Sequence, residues 1–335
     1  MSKRFNTISI NNLLNFQEIK QITMKALNIS SSDFDKKYYK LPPIVKTTGL
    51  KGHSARGKGS SGRKYATPSL NPLYQTWYSK RDTNWLYSHK EYFWDGLACS
   101  WETSAPNAAR NVAHELLYPH TNKYIKSHPH RKFKYINPID TFNLEWNIFD
   151  WGSGVGLTTI LISQNFPKSK IYYEATPCSS EFKFFKEAIS FLTNKGFDLS
   201  NIHIVSSIDD IPDLDYMVGI EIVEHFKNPM PVLEKYLNKI KAGGIFAHSS
   251  FWESEKNMPT LGHFTEYEFD EFKGYLYNKS NLFNYTFGKP SINTAWKKAM
   301  RKRNWILTKR DPFGHKPRFW IKKEDTVGLL YKVCK

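Results

Sequence analysis

The sequence predicts an α/β fold with a mostly parallel, doubly wound sheet. From Ile148 onward, short apolar runs typical of strands alternate with amphipathic helical patterns, and the links between them are short. Such alternation is typical of parallel strands whose connecting helices cover both faces of a sheet. A glycine-rich turn at residues 150–156 joins the first strand to the first helix. With 335 residues, 40% of them hydrophobic, the chain can form a sizeable core.

The individual elements follow from the same patterns. The first helix starts after Gly156 and ends before Pro167, the next runs from about Ser180 to Gly196, and Pro231 lies in the first turn of a third. A capping-box pattern at residues 265–268 predicts a further helix. Strands are predicted at residues 148–150, 170–174, 202–205, 216–220, 245–248, 305–308 and 327–333.

The N-terminal region, residues 1–140, differs in composition from the rest of the chain. An amphipathic helix is predicted at residues 12–27, and five glycines with five basic residues predict a flexible basic loop at residues 47–64. The following segment is dense in aromatic residues with interleaved bases such as Lys80 and Arg81, which fits either the core of a small cap or a base-stacking surface. We expect residues 1–140 to form a cap or substrate-recognition region and residues 141–335 the main domain.

Charge is divided unevenly along the chain. Residues 1–140 carry 22 Lys and Arg against 9 Asp and Glu, residues 141–288 carry 12 against 19, and residues 289–335 carry 14 against 3. Basic flanks around an acidic centre favour a polyanionic partner such as nucleic acid, although solvated surfaces would give the same pattern. The sequence has no apolar run long enough to span a membrane and no apolar signal segment near Met1, so we predict a cytoplasmic protein without membrane attachment.

Polar residues follow four successive strands at their carboxyl ends, where open α/β sheets bind ligands. The glycine turn follows the first strand, Glu174 ends the second, residues 207–209 follow the third, and residues 221–225 follow the fourth. A carboxylate some twenty residues beyond a glycine turn is suited to two ribose hydroxyls, as in dinucleotide enzymes. However, the turn reads Gly-x-Gly-x-Gly, whereas the dinucleotide fingerprint is Gly-x-Gly-x-x-Gly.

In this order the motifs resemble those of the class I S-adenosylmethionine-dependent methyltransferases, which have a seven-stranded, mostly parallel, Rossmann-like sheet. The resemblance covers residues 145–335 and does not extend to residues 1–140. It implies that S-adenosylmethionine is the cofactor and that the turn, the ribose-binding acid, the adenine-flanking segment and the residue after strand four bind it: Asp150, Gly152, Ser153, Gly154, Gly156, Glu174, Ser207, Ile208, Asp209 and Glu221.

The segment after the fourth strand contains side chains that could activate a hydroxyl group as the methyl acceptor. The side chains of Glu221, Glu224 and His225, with His263 as a fourth ligand, could bind a divalent ion such as Mg²⁺ or Mn²⁺, which would lower the pKa of a bound hydroxyl. The segment is similar to that of the small-RNA 2′-O-methyltransferases and of the O-methyltransferases of ubiquinone synthesis. The resemblance implies that these four residues are catalytic, while metal-free relatives with a structural histidine leave the alternative open.

The acceptor is predicted to be an oxygen of a nucleic acid, with RNA favoured over DNA. The segment after the fourth strand lacks the Asn/Asp-Pro-Pro-Tyr/Phe and Pro-Cys motifs that resemblance would associate with methylation of base amines and of cytosine carbon; the Pro177-Cys178 pair follows the second strand instead. A small metabolite or sugar acceptor remains an alternative, as does a binding protein that retains the fold without catalysis.

Overall fold

In a computed structural model, the chain is described at residues 10–38, 76–77, 79–104, 143–220, 222–249, 262–264, 302, 305–309 and 318–322. Among these residues, five helices precede the sheet: α1 (Ile10–Leu13), α2 (Phe16–Leu27), α3 (Ser31–Tyr38), α4 (Thr83–Tyr87) and α5 (Lys90–Ser104). The strands and helices that follow are β1 (Asn147–Trp151), α6 (Leu157–Asn165), β2 (Lys170–Glu174), α7 (Ser180–Asn194), β3 (Ile202–Val205), β4 (Leu214–Ile220), α8 (Pro229–Leu237), β5 (Ile240–Ser249), β6 (Trp305–Lys309) and β7 (Arg318–Lys322). Within these ranges, no helix combines the length and hydropathy needed to cross a membrane.

The strands form one seven-stranded sheet in the order β3-β2-β1-β4-β5-β7-β6. Strands β1 to β5 are parallel, as predicted, while β7 runs antiparallel to both β5 and β6. The register places Asp150 beside both Tyr173 and Val218. The carboxyl ends of β1, β2 and β4 therefore lie next to one another, which is where the predicted site residues begin.

The two faces of the sheet carry different helices. One buried cluster joins side chains of β1, β4 and β5 to α8, including Phe149, Met217 and Leu233. The other joins α6 and α7 to the N-terminal helices, including Ile19, Phe34 and Phe185. Burial of these apolar side chains is the main force that holds the layers together.

The N-terminal helices α1 to α3 and α5 share this second core with the sheet's own helices. Polar contacts reinforce the packing of α2 on α7: Lys195 lies 2.7 Å from a Glu18 carboxylate oxygen and donates to the Leu13 carbonyl at 2.9 Å, and Lys25 pairs with Glu187 at 2.7 Å. The described parts of residues 1–140 are thus packed onto the main domain. The domain boundary near residue 140 and the basic loop at residues 47–64 lie outside the described residues.

Several element boundaries differ from the sequence expectation. The predicted 12–27 helix starts later than expected, at Phe16, because Asn15 caps it. The Asn15 side chain accepts from the Glu18 amide and the Glu18 carboxylate accepts from the Asn15 amide, which forms a capping box. The predicted strand at 305–308 is confirmed as β6, whereas β7 was not predicted. The predicted strand at 327–333 and the helix after residue 265 lie outside the described part of the chain.

Candidate active site

The glycine turn between β1 and α6 requires a left-handed backbone at three positions. Gly152, Gly154 and Gly156 have φ angles of 68°, 53° and 76°, a region that disfavours side chains. The Gly156 amide donates to the Ser153 carbonyl at 2.9 Å, which closes the turn immediately before α6 begins at Leu157. The turn therefore brings backbone and the amino end of a helix to the carboxyl edge of the sheet.

The three glycines have different surroundings. A Cβ at Gly152 would lie 2.6 Å from the Ile222 side chain, and one at Gly156 would lie 2.1 Å from the Phe185 ring. A Cβ at Gly154 would meet nothing within 4 Å. Gly152 and Gly156 are thus required by packing as well as by conformation, and Gly154 borders open space that a ligand can approach.

This difference predicts unequal costs of substitution. Gly154→Ala should lower the free energy of unfolding only by the left-handed strain, about 1–2 kcal/mol. Gly156→Ala should add a clash with Phe185 worth roughly 1–3 kcal/mol more. Urea unfolding of both variants measures the difference, and equal losses of stability would contradict the packing role assigned to Gly156.

Asp150 lies beneath the turn. Its side chain is 2% exposed and accepts a hydrogen bond from the Thr159 hydroxyl at 2.7 Å. Burial, together with the negative charge of Asp150, raises the pKa of the Tyr216 hydroxyl. The carboxylate therefore ties β1 to the first turn of α6 and contributes negative charge close under the glycines.

Glu174 ends β2 at the same edge of the sheet and is half-buried. Its carboxylate accepts a hydrogen bond from the Tyr236 hydroxyl of α8 at 3.0 Å, and burial together with the Glu174 charge raises the pKa of Tyr236. The Tyr236 ring stacks on Phe149 with centroids 5.7 Å apart and lies 5.0 Å from Trp151. Tyr236 had no motif to identify it as part of the site.

Ser207, Ile208 and Asp209 form a single 3₁₀ turn after β3. The Ser207 hydroxyl accepts from the Asp209 amide at 3.1 Å, and Ile208 is fully buried in the core beside α8. Asp209 is exposed and lies 3.5 Å from Lys235. Ile208 anchors this turn at the carboxyl end of β3, where Ser207 is half-buried and Asp209 is exposed.

A second polar cluster follows β4. Glu224 and His225 lie in the 3₁₀ turn Val223–His225 and, with His263, offer ligand atoms within 4.8 Å of one another. All three side chains are buried, and the two imidazole rings have centroids 4.7 Å apart at 88°. The Phe264 amide donates to the Glu224 carbonyl at 2.9 Å, which holds the two segments together. Glu221, the fourth predicted member, lies outside the described residues.

Residues of the N-terminal region border this cluster. The Arg81 guanidinium donates to the His263 carbonyl at 3.3 Å and stacks over the Trp77 and Phe264 rings at 4.3 and 4.8 Å. The Tyr87 ring lies 6.1 Å from the His225 ring. Sequence reasoning identified this aromatic and basic segment but did not assign any of its residues to the site.

The strand order of this sheet differs from that of the dinucleotide-binding fold. The dinucleotide-binding sheet has the order 3-2-1-4-5-6 with parallel strands, whereas here the antiparallel β7 occupies the place next to β5. The same chain carries the Gly-x-Gly-x-Gly turn and an acid at the end of β2. It has the seven-stranded, mostly parallel, Rossmann-like sheet that the resemblance to the class I S-adenosylmethionine-dependent methyltransferases implied. The mostly parallel sheet with its flanking helices was thus predicted correctly, although β7 was not.

Solved methyltransferases are similar to the chain at low identity. A methyltransferase from Aquifex aeolicus shares 14% identity over 63% of this chain and 96% of its own, with a TM-score of 0.35. An O-methyltransferase family protein from Burkholderia thailandensis shares 9% over 90% and 87%, with a TM-score of 0.39. Human N-acetylserotonin methyltransferase shares 12% over 87% and 74%, with a TM-score of 0.43. No family model and no curated protein matches the sequence. The assignment of the methyltransferase fold rests on strand order and on the glycine turn.

Proposed function

We propose that this chain is an S-adenosylmethionine-dependent methyltransferase whose acceptor is an oxygen of a nucleic acid, RNA in preference to DNA. The observation that carries the proposal is the adjacency of two different sites. The open glycine turn ends β1, and the buried Glu224–His225–His263 cluster ends its neighbour β4. A methyl donor and a methyl acceptor must meet in line, which two neighbouring strand ends allow.

The donor side requires little chemistry from the protein, because the sulfonium of S-adenosylmethionine supplies an already activated methyl group. The cofactor can approach the backbone at Gly154 closely, and the amino end of α6 provides amide donors. Glu174 lies where a carboxylate would accept hydrogen bonds from ribose hydroxyls, and its bond from Tyr236 fixes its orientation. The chain thus contributes binding and orientation on this side.

The acceptor side contains one carboxylate and two imidazoles, a mixed oxygen and nitrogen set that fits a divalent ion. Glu224, His225 and His263 would hold Mg²⁺ or Mn²⁺, which would lower the pKa of an acceptor hydroxyl. In transfer the acceptor oxygen forms a bond to the methyl carbon as the bond from carbon to sulfur breaks, and the hydroxyl loses its proton. In the absence of a metal, the imidazoles of His225 and His263 are the groups in this cluster able to accept that proton.

Charge and motif content support a nucleic-acid oxygen. Basic residues are concentrated at residues 1–140 and 289–335, on either side of an acidic centre, and the segment after β4 lacks the Asn/Asp-Pro-Pro-Tyr/Phe motif associated with base amines. A small metabolite or sugar is the second candidate. The Glu224–His225–His263 cluster is buried, and a small acceptor fits such a position as well as one nucleotide of a nucleic acid does.

Transfer of an isotopically labelled methyl group from S-adenosylmethionine tests both candidates. We expect label in RNA, less in DNA, and none in a protein-free extract of small molecules. Affinity for a random RNA should fall at least about tenfold between about 50 and 300 mM salt, since Lys and Arg contacts to phosphates release counterions. Label in small molecules with salt-independent binding would favour the second candidate, and a chain that does not bind S-adenosylmethionine would refute both.

A further inference from the structure

Tyr87 is an exposed aromatic residue beside the Glu224–His225–His263 cluster. Among the described residues, the exposed large hydrophobic side chains are Tyr87, Ile204 and Val232, and Tyr87 is the aromatic one, at 38% exposed. Its ring centroid lies 6.1 Å from that of His225 and 5.1 Å from that of Tyr92. An exposed aromatic residue at this position offers apolar surface that a ligand can cover.

The short helix that carries Tyr87 is held firmly. The Asp82 side chain caps it by accepting from the Trp85 amide at 3.1 Å, and the Ser88 hydroxyl donates to the Trp85 carbonyl at 2.6 Å. Leu86, the residue before Tyr87, is fully buried against Trp77. A Cβ at Gly262 would lie 3.1 Å from Leu86 and 2.8 Å from His225, so this helix contacts the loop that carries His263.

Cations accompany the aromatic rings of this segment. The Lys80 ammonium lies 5.4 Å from the centroid of the Trp85 ring, and the Arg81 guanidinium stacks on Trp77. The two described acids of this segment are exposed: Asp82 caps α4, and Glu91 lies 3.8 Å from Lys37. Aromatic rings with neighbouring cations are the combination by which proteins bind single-stranded nucleic acids, through stacking on bases and attraction to phosphates.

We propose that Tyr87 is the platform on which the base of the acceptor nucleotide stacks, so that its ribose faces the Glu224–His225–His263 cluster. The inference rests on the proposed function and names the residue that selects its substrate. A base stacked at roughly 3.5 Å from the Tyr87 ring occupies the space beside His225.

The test compares binding of two RNA probes to the full chain by fluorescence anisotropy. One probe is a short single-stranded RNA of mixed sequence, and the other replaces its nucleosides with abasic ribose spacers on the same phosphate backbone. Tyr87→Leu should weaken binding of the first probe about tenfold, the loss expected for one stacking contact, and leave the second unchanged. Tyr87→Phe should retain wild-type affinity for both, and Val232→Ala is the control for loss of an exposed apolar side chain.

Enzyme kinetics provide a second readout. Tyr87→Leu should raise KM for RNA about tenfold with a smaller change in kcat, and should leave affinity for S-adenosylmethionine unchanged by calorimetry. Equal weakening on both probes, or none on either, would overturn the stacking role, as would a wild-type chain that does not bind RNA. Base-dependent loss of RNA binding in a chain that transfers no methyl group would support Tyr87 and refute the proposed function instead.

Discussion

Glu224→Gln is expected to reduce methyl transfer at least about a hundredfold while leaving the affinity for S-adenosylmethionine unchanged. The substitution keeps the size of a fully buried side chain and removes the negative charge from the Glu224–His225–His263 cluster. Stabilisation of a bound hydroxyl by a metal and its ligands is worth several kcal/mol, and about 1.4 kcal/mol corresponds to tenfold in rate. Labelled transfer at saturating cofactor measures the rate, and calorimetry measures binding of the cofactor.

Glu145→Gln is the matched control, because Glu145 is an exposed carboxylate before β1, at the opposite edge of the sheet. It should transfer methyl groups at the wild-type rate. A chelator should abolish transfer by the wild type, and added Mg²⁺ or Mn²⁺ should restore it. Transfer that is insensitive to the chelator but lost in Glu224→Gln would show that the cluster acts without a metal, and full activity of Glu224→Gln would remove it from the acceptor site.

The glycine turn and its surrounding acids were predictable because local sequence determines them. A strand that ends at an acid and is followed by Gly-x-Gly-x-Gly specifies a tight turn into a helix, and parallel strands bring their carboxyl ends to one edge. The sequence therefore predicted that Glu174 and the segment after β4 would lie near the turn, as the register places them. The ligand atoms of Glu224, His225 and His263 do lie within 4.8 Å of one another, and the catalytic and metal-binding roles of these residues stay predictions.

The contributions of Tyr236, Arg81 and Tyr87 were not predictable, because each depends on packing between distant segments. Arg81 and His263 are separated by 182 residues, and Tyr236 and Glu174 by 62. No periodicity or spacing relates such pairs, and many aromatic residues of the N-terminal region gave the same local pattern. The antiparallel β7 was missed for a related reason. Its five residues pair with β5, from which they are separated by the long stretch of chain after Ser249.

Phe185→Ala is expected to lower the free energy of unfolding by about 3–5 kcal/mol and also to weaken binding of S-adenosylmethionine. The Phe185 ring is fully buried and stacks on Tyr173 with centroids 3.9 Å apart, and it fills the space in which a Cβ at Gly156 would lie. The Tyr173 hydroxyl donates to the Gly154 carbonyl at 2.9 Å. Loss of the ring therefore removes the support of Tyr173 and, through it, the restraint on the glycine turn. Urea unfolding and calorimetry at a temperature where the variant is folded measure the two effects.

Phe184→Ala separates general instability from loosening of the turn. Phe184 is the neighbouring residue of α7 and is equally buried, but its ring lies beside Phe93 of α5. It should lose a similar amount of stability and retain wild-type affinity for the cofactor, whereas Tyr173→Phe should lose only about 1 kcal/mol of stability and still bind the cofactor more weakly. If the two alanine variants lose cofactor affinity equally, the turn is not held through Tyr173, and its conformation is set by the glycines alone.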